Sequence, residues 1–524
     1  MKTAQLLNYA RGEWTPGDAA SLVELPSALD GSPVALTGSG GLDFGGMARF
    51  ARDVGGPALR AMTFHERARM LKALGLAVLA RKEELYELNY ATGATRKDGW
   101  IDIEGGAGTL LSFSSKGRRE LPDAHVLLDG GLEPLSKSGL FQGQHIYTSL
   151  QGVAVHINAF NFPVWGMLEK LAPTLLAGVP AIVKPASATA WLAEAAFRVM
   201  IEAGVLPPGA VQLVVGGVGD LFDHLGGQDV VSFTGSAQTA LKLRTHPVIQ
   251  RESVKFIAEQ DSLNASVLGP DAAPGTPEFD LFVAEVVNEM TVKAGQKCTA
   301  IRRAMVPGAF LKATEEAIAA RLAALPVGDP RDRETRMGAL VSRAQRDSVR
   351  EAVAAITAGG ARVAAGDPEG RIGPDGGAFM PPVLLCADDP WACEAAHDVE
   401  PFGPVATLMP YADLGDAVRL ANRGKGSLAL SFFTHSGDVA RDFILGAGAF
   451  HGRMLVLDRD NAKDSTGHGS PLPVLVHGGP GRAGGGEEMG GIRGVTHYMQ
   501  RTALQGSPEM FAAITSQYIP GGPK

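Results

Sequence analysis

The feature that most constrains the fold is a repeated alternation of short apolar runs and helical segments between Gly152 and Gln260. The apolar runs span 153–159, 181–184, 211–215, 230–234 and 254–258. The segments with helical character between them span 165–177, 189–203, 220–225 and 237–243. Strands and helices that alternate at this spacing require crossover connections, which build a parallel sheet covered on both faces. The sequence therefore predicts a doubly wound α/β domain.

A second α/β unit is predicted from about residue 264 onward. Its candidate strands are 303–306, 361–365, 383–386, 405–410, 429–434 and 454–458, and its clearest helices are 309–325 and 344–358. Two segments fit neither unit. Residues 143–155 alternate around a turn like an antiparallel pair, and the chain after Gly491 is strand-like again. Exposed strands of this kind often form contacts between subunits, so we expect a homo-oligomer and favour a dimer.

Composition excludes several classes of partner. A chain of 524 residues is too long for one compact core, which predicts two or three domains. A net charge of −8 argues against nucleic acid and anionic membrane surfaces. The first residues contain no apolar signal region, and no apolar run approaches a membrane span. Because three cysteines suit a reducing compartment, we expect a cytoplasmic protein.

Polar and glycine residues recur where the predicted strands of the first unit end. The five strand ends read NAFNFP (158–163), KPAS (184–187), GGVG (216–219), FTGS (233–236) and AEQD (258–261). Ligands of open parallel sheets bind beyond the carboxyl ends of the strands, so these tips predict one site. Gly217 and Gly219 alone are weak evidence, since Phe222 stands where a dinucleotide motif needs a third glycine. Gly235 permits a tight turn, and Ser236 can open a helix whose N–H groups face a phosphate.

The segment AGQKCTA (294–300) places Cys298 between a lysine and a threonine. A cysteine in a long chain is usually a small buried hydrophobic residue, and a nucleophile is the alternative. No metal site is expected, because the spacing of Cys386, Cys393 and His397 matches no common zinc pattern.

Six motifs together resemble the aldehyde dehydrogenase superfamily: NAFNFP, KPAS, FTGS, AEQD, GQKCTA and EPFGP, in the family's order. The opening NYARGEW (8–14) resembles the start of such chains. The resemblance implies two doubly wound parallel-sheet domains and a small antiparallel oligomerisation element. Residues 1–130 and 151–263 would form the dinucleotide-binding domain and residues 264–490 the catalytic domain. Residues 131–150 and 491–524 would form the oligomerisation element.

The resemblance also implies catalytic roles. Cys298 would be the nucleophile, and the Asn161 side chain with the Cys298 N–H would hold the oxyanion. Glu259 would be the general base, although its loop is shorter than in most members, which leaves its resting position open. Lys170 matches a lysine that steadies the base, and an ordinary surface lysine is the alternative. Gln500 stands where many members carry a glutamate linked to proton relay, so we expect that relay to be absent or altered.

The same resemblance implies a nicotinamide cofactor. NADP is expected, with weaker use of NAD, because Ser187 stands where NAD-preferring members commonly carry a glutamate. Glu400 and Phe402 would hold the nicotinamide ribose and pack near the ring. The remaining residues expected at the cofactor are Lys184, Gly217, Gly219, Thr234, Gly235 and Ser236.

The tail, 468–491 followed by HYMQRTALQGSP, resembles a branch that handles CoA-linked semialdehydes in aerobic aromatic breakdown. Some members carry an extra hydratase domain, and since this sequence stops at Lys524, we expect the stand-alone type. The expected substrate is a CoA-linked semialdehyde. Another aldehyde, a CoA-acylating reaction and a non-catalytic protein on the same scaffold remain alternatives.

Overall fold

The computed structural model describes residues 3–522 and contains two seven-stranded sheets. The first sheet has five parallel strands, followed at one edge by two antiparallel strands from the N-terminal region. Its strands lie in the order Lys255–Glu259, Val230–Thr234, Ala154–Ile157, Ala181–Lys184, Val211–Leu213, Leu7–Ala10 and Glu13–Pro16. The five predicted runs are thus the five parallel strands, and their carboxyl ends share one rim.

The second sheet is parallel except for one edge strand, Arg362–Ala365. From that edge its other strands are Val383–Cys386, Val405–Tyr411, Arg303–Pro307, Ala265–Leu268, Ser427–Phe433 and His451–Leu457. The five inner strands are mostly apolar and buried on both faces, as expected when helices cover a parallel sheet, whereas the two edge strands are partly exposed. The predicted fold class, two doubly wound parallel sheets with a small antiparallel element, is confirmed.

Helices cover both sheets. They span Phe44–Phe50, Gly56–Arg60, Phe64–Ala80, Lys82–Tyr90, Arg96–Gly99, Gly105–Glu120, Trp165–Ala177, Ala190–Glu202, Ala237–Arg244, Pro247–Arg251, Pro277–Thr291, Leu311–Ala323, Arg343–Ala358, Ala395–Asp398, Leu414–Asn422, Gly437–Ala447, Ile492–Thr496 and Pro508–Thr515. Residues 220–225, predicted as a helix, form only a short 3-10 turn, Leu221–His224. Among residues 3–522, no helix combines the length and the apolar character that crossing a bilayer requires.

The helix Trp165–Ala177 matters most for the site. It is buried along almost its whole length and ends at Gly178, whose φ of 86° closes the helix in the left-handed conformation. It packs against Gly105–Glu120 and Phe64–Ala80 on one side of the first sheet. A helix buried on nearly all sides can carry a charged residue only if that residue is paired.

The third sheet is antiparallel and joins distant parts of the chain. The strand Gln142–Ser149 lies between Leu127–Pro134 and Met499–Gly506. The prediction of an antiparallel pair within 143–155 was wrong, because Ala154–Ile157 belongs to the first sheet. The turn there carries the chain from one sheet to the next.

Two small sheets complete the fold. One contains Ala4–Gln5, Pro33–Thr37 and Val23–Pro26. The other is a hairpin of Val476–Gly478 and Glu487–Met489, which pairs His477 with Glu488. This hairpin lies in the glycine-rich tail and reaches the carboxyl end of the first sheet.

Candidate active site

The loop that carries Cys298 has an unusual backbone. Lys293, Ala294 and Gly295 are consecutive residues with positive φ angles of 54°, 50° and 67°. The left-handed region disfavours residues with a Cβ, so two of the three are strained. At Gly295 a Cβ would lie 2.1 Å from the Gly403 carbonyl oxygen, so only glycine fits. The glycine of the AGQKCTA motif is therefore required by close backbone contact.

Arg302 holds this loop against the EPFGP segment. Its guanidinium is almost fully buried and donates to the carbonyl oxygens of Gly403 at 2.8 Å, Gly295 at 2.9 Å and Lys297 at 3.1 Å. A guanidinium presents its donors in a fixed planar fork, which makes it well suited to join several carbonyls. The position of Cys298 is thereby fixed relative to the segment that contains Glu400.

Cys298 is the half-buried cysteine, whereas Cys386 and Cys393 are buried. Its carbonyl oxygen accepts a hydrogen bond from Asn264 Nδ2 at 2.8 Å, and Sγ lies 3.8 Å from His477 Nε2. Burial of the thiol, followed by the negative charge of Glu259, raises the pKa of Cys298 well above its usual range. The thiol is therefore protonated at rest and needs a proton acceptor before it attacks.

Glu259 ends its strand opposite Thr234 and points into the site. Its Oε2 lies 3.2 Å from His477 Nε2, yet neither carboxylate oxygen has well-aligned hydrogen-bond geometry with any described residue. Burial alone would raise the pKa of Glu259, but its contact with the His477 ring and the positive charge of Lys170 hold that pKa below its usual range. Glu259 is thus an ionised, buried carboxylate beside the thiol.

The glycine-rich tail explains how the short Glu259 loop is held. Gly486 N–H donates to the Ala258 carbonyl at 3.2 Å, and Gln260 N–H donates to the Ala483 carbonyl at 3.2 Å. A Cβ at Gly484 would lie 2.3 Å from the Ala258 oxygen. The GRAGGGEE run therefore supplies backbone that lies directly against the strand end and fixes Glu259, whose position the sequence left open.

Lys170 is not a surface lysine, because its side chain is 1% exposed. Nζ donates to Thr234 Oγ1 at 2.7 Å, Glu488 Oε2 at 2.9 Å and Glu169 Oε1 at 3.2 Å. Burial opposes its charge, yet Glu488 and Glu169 together raise the pKa of Lys170. The ammonium and its two carboxylate partners form a buried network next to Glu259.

Sequence reasoning missed two residues of this centre, His477 and Glu488. Both lie on the tail hairpin, and His477 packs its ring edge-on to Trp165 with centroids 5.5 Å apart. Gln500 lies instead on the third sheet opposite Thr148 and is exposed, so the expectation that it marks the relay position was wrong. The sequence did contain an indication of Glu488, because Glu487 and Glu488 are adjacent acidic residues within an apolar, glycine-rich run.

Asn161 is buried at the end of the strand Ala154–Ile157. The preceding residue, Phe160, packs edge-on against Phe402 with ring centroids 5.7 Å apart. The Arg302 guanidinium lies over the Phe402 ring at 5.3 Å. The Asn161 loop and the EPFGP segment therefore meet next to the cysteine loop.

Ser187, Gly217 and Gly219 line a shared cavity of about 530 Å³, together with residues 37–42. Gly219 has a φ of 48°, and a Cβ there would lie 2.3 Å from the Phe44 ring. Lys184 ends the neighbouring strand, and burial lowers its pKa. Gly219 is required by the close contact of the first helix with this turn, whereas a Cβ at Gly217 would meet no atom within 4 Å.

The FTGS tip turns into the helix Ala237–Arg244. The Gly235 N–H donates to the Glu259 carbonyl at 3.1 Å, and Ser236 Oγ caps the helix by accepting from Thr239 N–H at 3.3 Å. Asp261 Oδ1 accepts from Ala237 N–H at 2.8 Å, so a carboxylate already occupies one donor of this helix end.

Glu400 lies between the cysteine loop and the first sheet. Its Oε2 accepts from Ser262 N–H at 3.2 Å, and Oε1 lies 3.6 Å from Arg302 Nε without hydrogen-bond geometry. Burial raises the pKa of Glu400 to about 7. A buried carboxylate oxygen with no described donor is available to accept from a ligand hydroxyl.

The geometry agrees with comparisons to known proteins. The family model described as "Aldehyde dehydrogenase family" matches residues 44–503. The 3,4-dehydroadipyl-CoA semialdehyde dehydrogenase of Aromatoleum evansii is 45% identical over 91% of this chain and 93% of its own. Protein MaoC of Klebsiella aerogenes is 55% identical, but over 35% of this chain and 55% of its own.

Solved structures show the same fold. Betaine aldehyde dehydrogenase of Staphylococcus aureus, in complex with NAD+, superposes with a TM-score of 0.84 at 20% identity, covering 96% of this chain and 97% of its own. Lactaldehyde dehydrogenase of Escherichia coli gives 0.84 at 22% identity, over 96% and 99%. The chain belongs to the aldehyde dehydrogenase family and is an oxidoreductase that acts on aldehydes.

Proposed function

We propose that this enzyme oxidises a CoA-linked semialdehyde, with 3,4-dehydroadipyl-CoA semialdehyde as the favoured substrate, to the carboxylic acid with NADP+. The choice of this substrate rests on the 45% identity with the Aromatoleum evansii enzyme over nearly the whole length of both chains. The observation that carries the chemistry is the half-buried Cys298 thiol beside the buried carboxylate of Glu259.

Cys298 is the proposed nucleophile. The thiol proton passes to solvent, the sulfur forms a bond to the aldehyde carbon, and the electron pair of the C=O π bond moves to the oxygen, which becomes an oxyanion. No described residue accepts a hydrogen bond from the Cys298 N–H, so this donor is available to the oxyanion together with the Asn161 amide. Glu400 and Phe402 would hold the nicotinamide end of a bound dinucleotide, which would supply the hydride acceptor. Loss of hydride from the former aldehyde carbon leaves an acyl thioester on Cys298.

Glu259 is the proposed base for the second half of the reaction. It takes a proton from water, whose oxygen attacks the thioester carbon, and the carbon–sulfur bond breaks to release the acid. Lys170 and Glu488 lie behind it and hold the local charge balance. The proposed role of Lys170 is to position Glu259, and the Glu488 carboxylate would accept the proton from Glu259.

The cofactor has a fitting set of residues at the rim of the first sheet. The Oε1 atom of Glu400, which has no described donor, suits a ribose hydroxyl of the cofactor, and the nearby Phe402 side chain would pack near the nicotinamide ring. Ser187 faces the cavity shared with Gly217 and Gly219, which has room for an adenosine ribose phosphate. A neutral serine does not repel a 2′-phosphate, which favours NADP+ over NAD+.

We also propose a function for each domain and an oligomeric state. Residues 1–130 and 151–263 bind the dinucleotide, and 264–490 carry the nucleophile. The third sheet is the oligomer contact, because Leu127–Pro134 is an edge strand and Leu140 and Phe141 nearby are exposed. A homodimer in the cytoplasm is the simplest assembly, and three free cysteines suit a reducing compartment.

The test is a matched panel of aldehydes with the purified enzyme. Each chain length is offered free and as its CoA thioester, with NADP+ and with NAD+, and kcat/KM is measured from reduced-cofactor absorbance. The proposal expects the CoA-linked semialdehyde with NADP+ to be preferred by at least tenfold. A preference for the free aldehyde would overturn the substrate, and a requirement for added CoA to release product would favour the acylating reaction.

A further inference from the structure

Three side chains with different ligand atoms meet at the Cys298 thiol. Glu259 Oε2, Cys298 Sγ and His477 Nε2 all lie within 4.8 Å of one another. They come from a strand end, the strained cysteine loop and the tail hairpin, so three separate segments converge on one point. The oxidation chemistry proposed above uses Cys298 and Glu259 but gives His477 no task.

The distances between these atoms match the edges of a tetrahedral zinc site. Zinc binds sulfur at about 2.3 Å, imidazole nitrogen at about 2.0–2.1 Å and carboxylate oxygen at about 2.0–2.2 Å. At a tetrahedral angle these bond lengths place sulfur about 3.6 Å from nitrogen, and nitrogen about 3.4 Å from oxygen. The observed separations are 3.8 Å for Cys298 Sγ to His477 Nε2 and 3.2 Å for His477 Nε2 to Glu259 Oε2.

The burial, orientation and accessibility of the three side chains also favour cation binding. Glu259 is 2% exposed, and both its oxygens lack a well-aligned donor among the described residues. The His477 ring is buried and packed against Trp165, so its orientation is fixed. Cys298 is only half-buried, which leaves an approach for an ion and a fourth position for water.

Charges behind the ligands also bear on the site. Lys170 opposes a cation near Glu259, whereas the neighbouring carboxylate of Glu488 favours one. Burial raises the pKa of Glu169 well above its usual range, so Glu169 adds little negative charge. A thiolate, imidazole and carboxylate together select zinc-like ions, since magnesium and calcium prefer oxygen alone.

We propose that Glu259, Cys298 and His477 form a binding site for a thiophilic divalent cation of the zinc class, and that its occupation reversibly blocks the enzyme. On binding, the Cys298 S–H bond breaks, a metal–sulfur bond forms and the proton passes to solvent, with no change of oxidation state. The ion then holds the nucleophile and the base together, so neither reacts. The inhibition rests on the proposed roles of Cys298 and Glu259, whereas the binding does not.

The test measures binding separately from activity. Chelator-treated, desalted enzyme is titrated with Zn²⁺ against a chromophoric chelator, and with Co²⁺ while the thiolate-to-cobalt absorption is recorded. We expect one ion per chain and a thiolate–cobalt band. His477→Phe, which keeps a flat ring, and His477→Gln should each weaken Zn²⁺ binding at least tenfold, and Cys298→Ala should abolish the band. The matched control is His125→Phe, because His125 is exposed and belongs to another part of the fold.

Activity is then measured in the same samples. Zn²⁺ should inhibit wild-type turnover, and a chelator should restore it. A wild type without a thiolate–cobalt band, or His477 variants of normal melting temperature that bind Zn²⁺ as tightly as wild type, would overturn the site. If the band is present but the metal-free enzyme oxidises no aldehyde, the proposed function fails and the metal site stands.

Discussion

The Nζ of Lys170 lies 2.9 Å from Glu488 Oε2 and connects a helix of the first sheet to the tail hairpin. Both side chains are nearly inaccessible to solvent. An ion pair buried in this way stabilises little by itself, but removal of one partner leaves a buried charge without compensation. The tail therefore depends on Lys170 for its position, and Glu259 depends on the tail.

We expect Lys170→Met to lower both stability and turnover. The change leaves the carboxylates of Glu169 and Glu488 buried without their ammonium, at a cost of about 3–5 kcal/mol. Thermal unfolding and kcat measure the two effects. Lys82→Met is the control, because the Lys82–Glu104 pair is partly exposed and should contribute about 0–1 kcal/mol. Equal melting temperatures for the two variants would contradict the network.

Cys298→Ala should abolish dehydrogenation and leave cofactor binding nearly intact. The cysteine opens the covalent route, whereas the residues expected at the cofactor lie on separate strand ends. The measurements are NADPH formation and cofactor binding by fluorescence. Cys386→Ala is the matched control, because Cys386 is buried in a strand of the second sheet and should be dispensable for turnover. Substantial turnover by Cys298→Ala would remove the covalent mechanism.

Glu259→Gln should permit hydride transfer and stall release of the acyl-enzyme. Glutamine is nearly isosteric but accepts no proton from water, so one burst of NADPH should precede a slow steady state. Stopped-flow absorbance measures the burst, and Glu252→Gln, at an exposed position nearby, is the control. An unchanged steady-state rate would show that another base acts.

The sequence predicted the parallel strands closely because buried strands are apolar runs whose ends are marked by polar and glycine residues. The strands Ala181–Lys184, Val230–Thr234 and Val383–Cys386 were predicted to the residue. The family resemblance grouped residues 131–150 with 491–524, but the local pattern could not show that Gln142–Ser149 pairs with Met499–Gly506, because antiparallel partners more than 300 residues apart leave no local signal.

The family motifs also predicted that Cys298 and Glu259 come together. His477 and Glu488 escaped because neither belongs to those motifs. A short hairpin brings them to the site, and its register depends on glycines whose contacts are tertiary: a Cβ at Gly486 would lie 2.6 Å from the Ala258 oxygen. Such contacts become visible only once the two segments are placed next to each other.

Glu400→Gln should change the pH dependence of stability. The pKa of Glu400 is raised by burial from 4.5 to about 7, so the folded protein binds this proton more tightly than the unfolded chain. The stabilisation by the protonated form is therefore complete below pH 4.5 and is lost as pH rises towards 7 and above.

Glutamine keeps the neutral form at every pH. The melting temperature of Glu400→Gln relative to wild type should thus rise between pH 5 and pH 8, by an amount equivalent to about 3 kcal/mol. Differential scanning calorimetry at the two pH values measures the change. A constant difference between variant and wild type would show that Glu400 does not titrate in this interval.

Ser187→Glu should shift the cofactor preference from NADP+ towards NAD+. Ser187 lines the cavity beside Gly217 and Gly219, where the 2′-phosphate of an adenosine ribose is proposed to lie. A carboxylate about 4 Å from that phosphate would repel it by roughly 1 kcal/mol in water and about 4 kcal/mol at an effective dielectric constant near 20. The same carboxylate can accept hydrogen bonds from the free hydroxyls of NAD+, so both effects favour NAD+ over NADP+.

The measurement is kcat/KM for NADP+ divided by kcat/KM for NAD+. This ratio should fall at least tenfold in Ser187→Glu and stay unchanged in Ser138→Glu, an exposed position on another loop. A wild type that already prefers NAD+, or a ratio that Ser187→Glu leaves unmoved, would place the 2′-phosphate elsewhere.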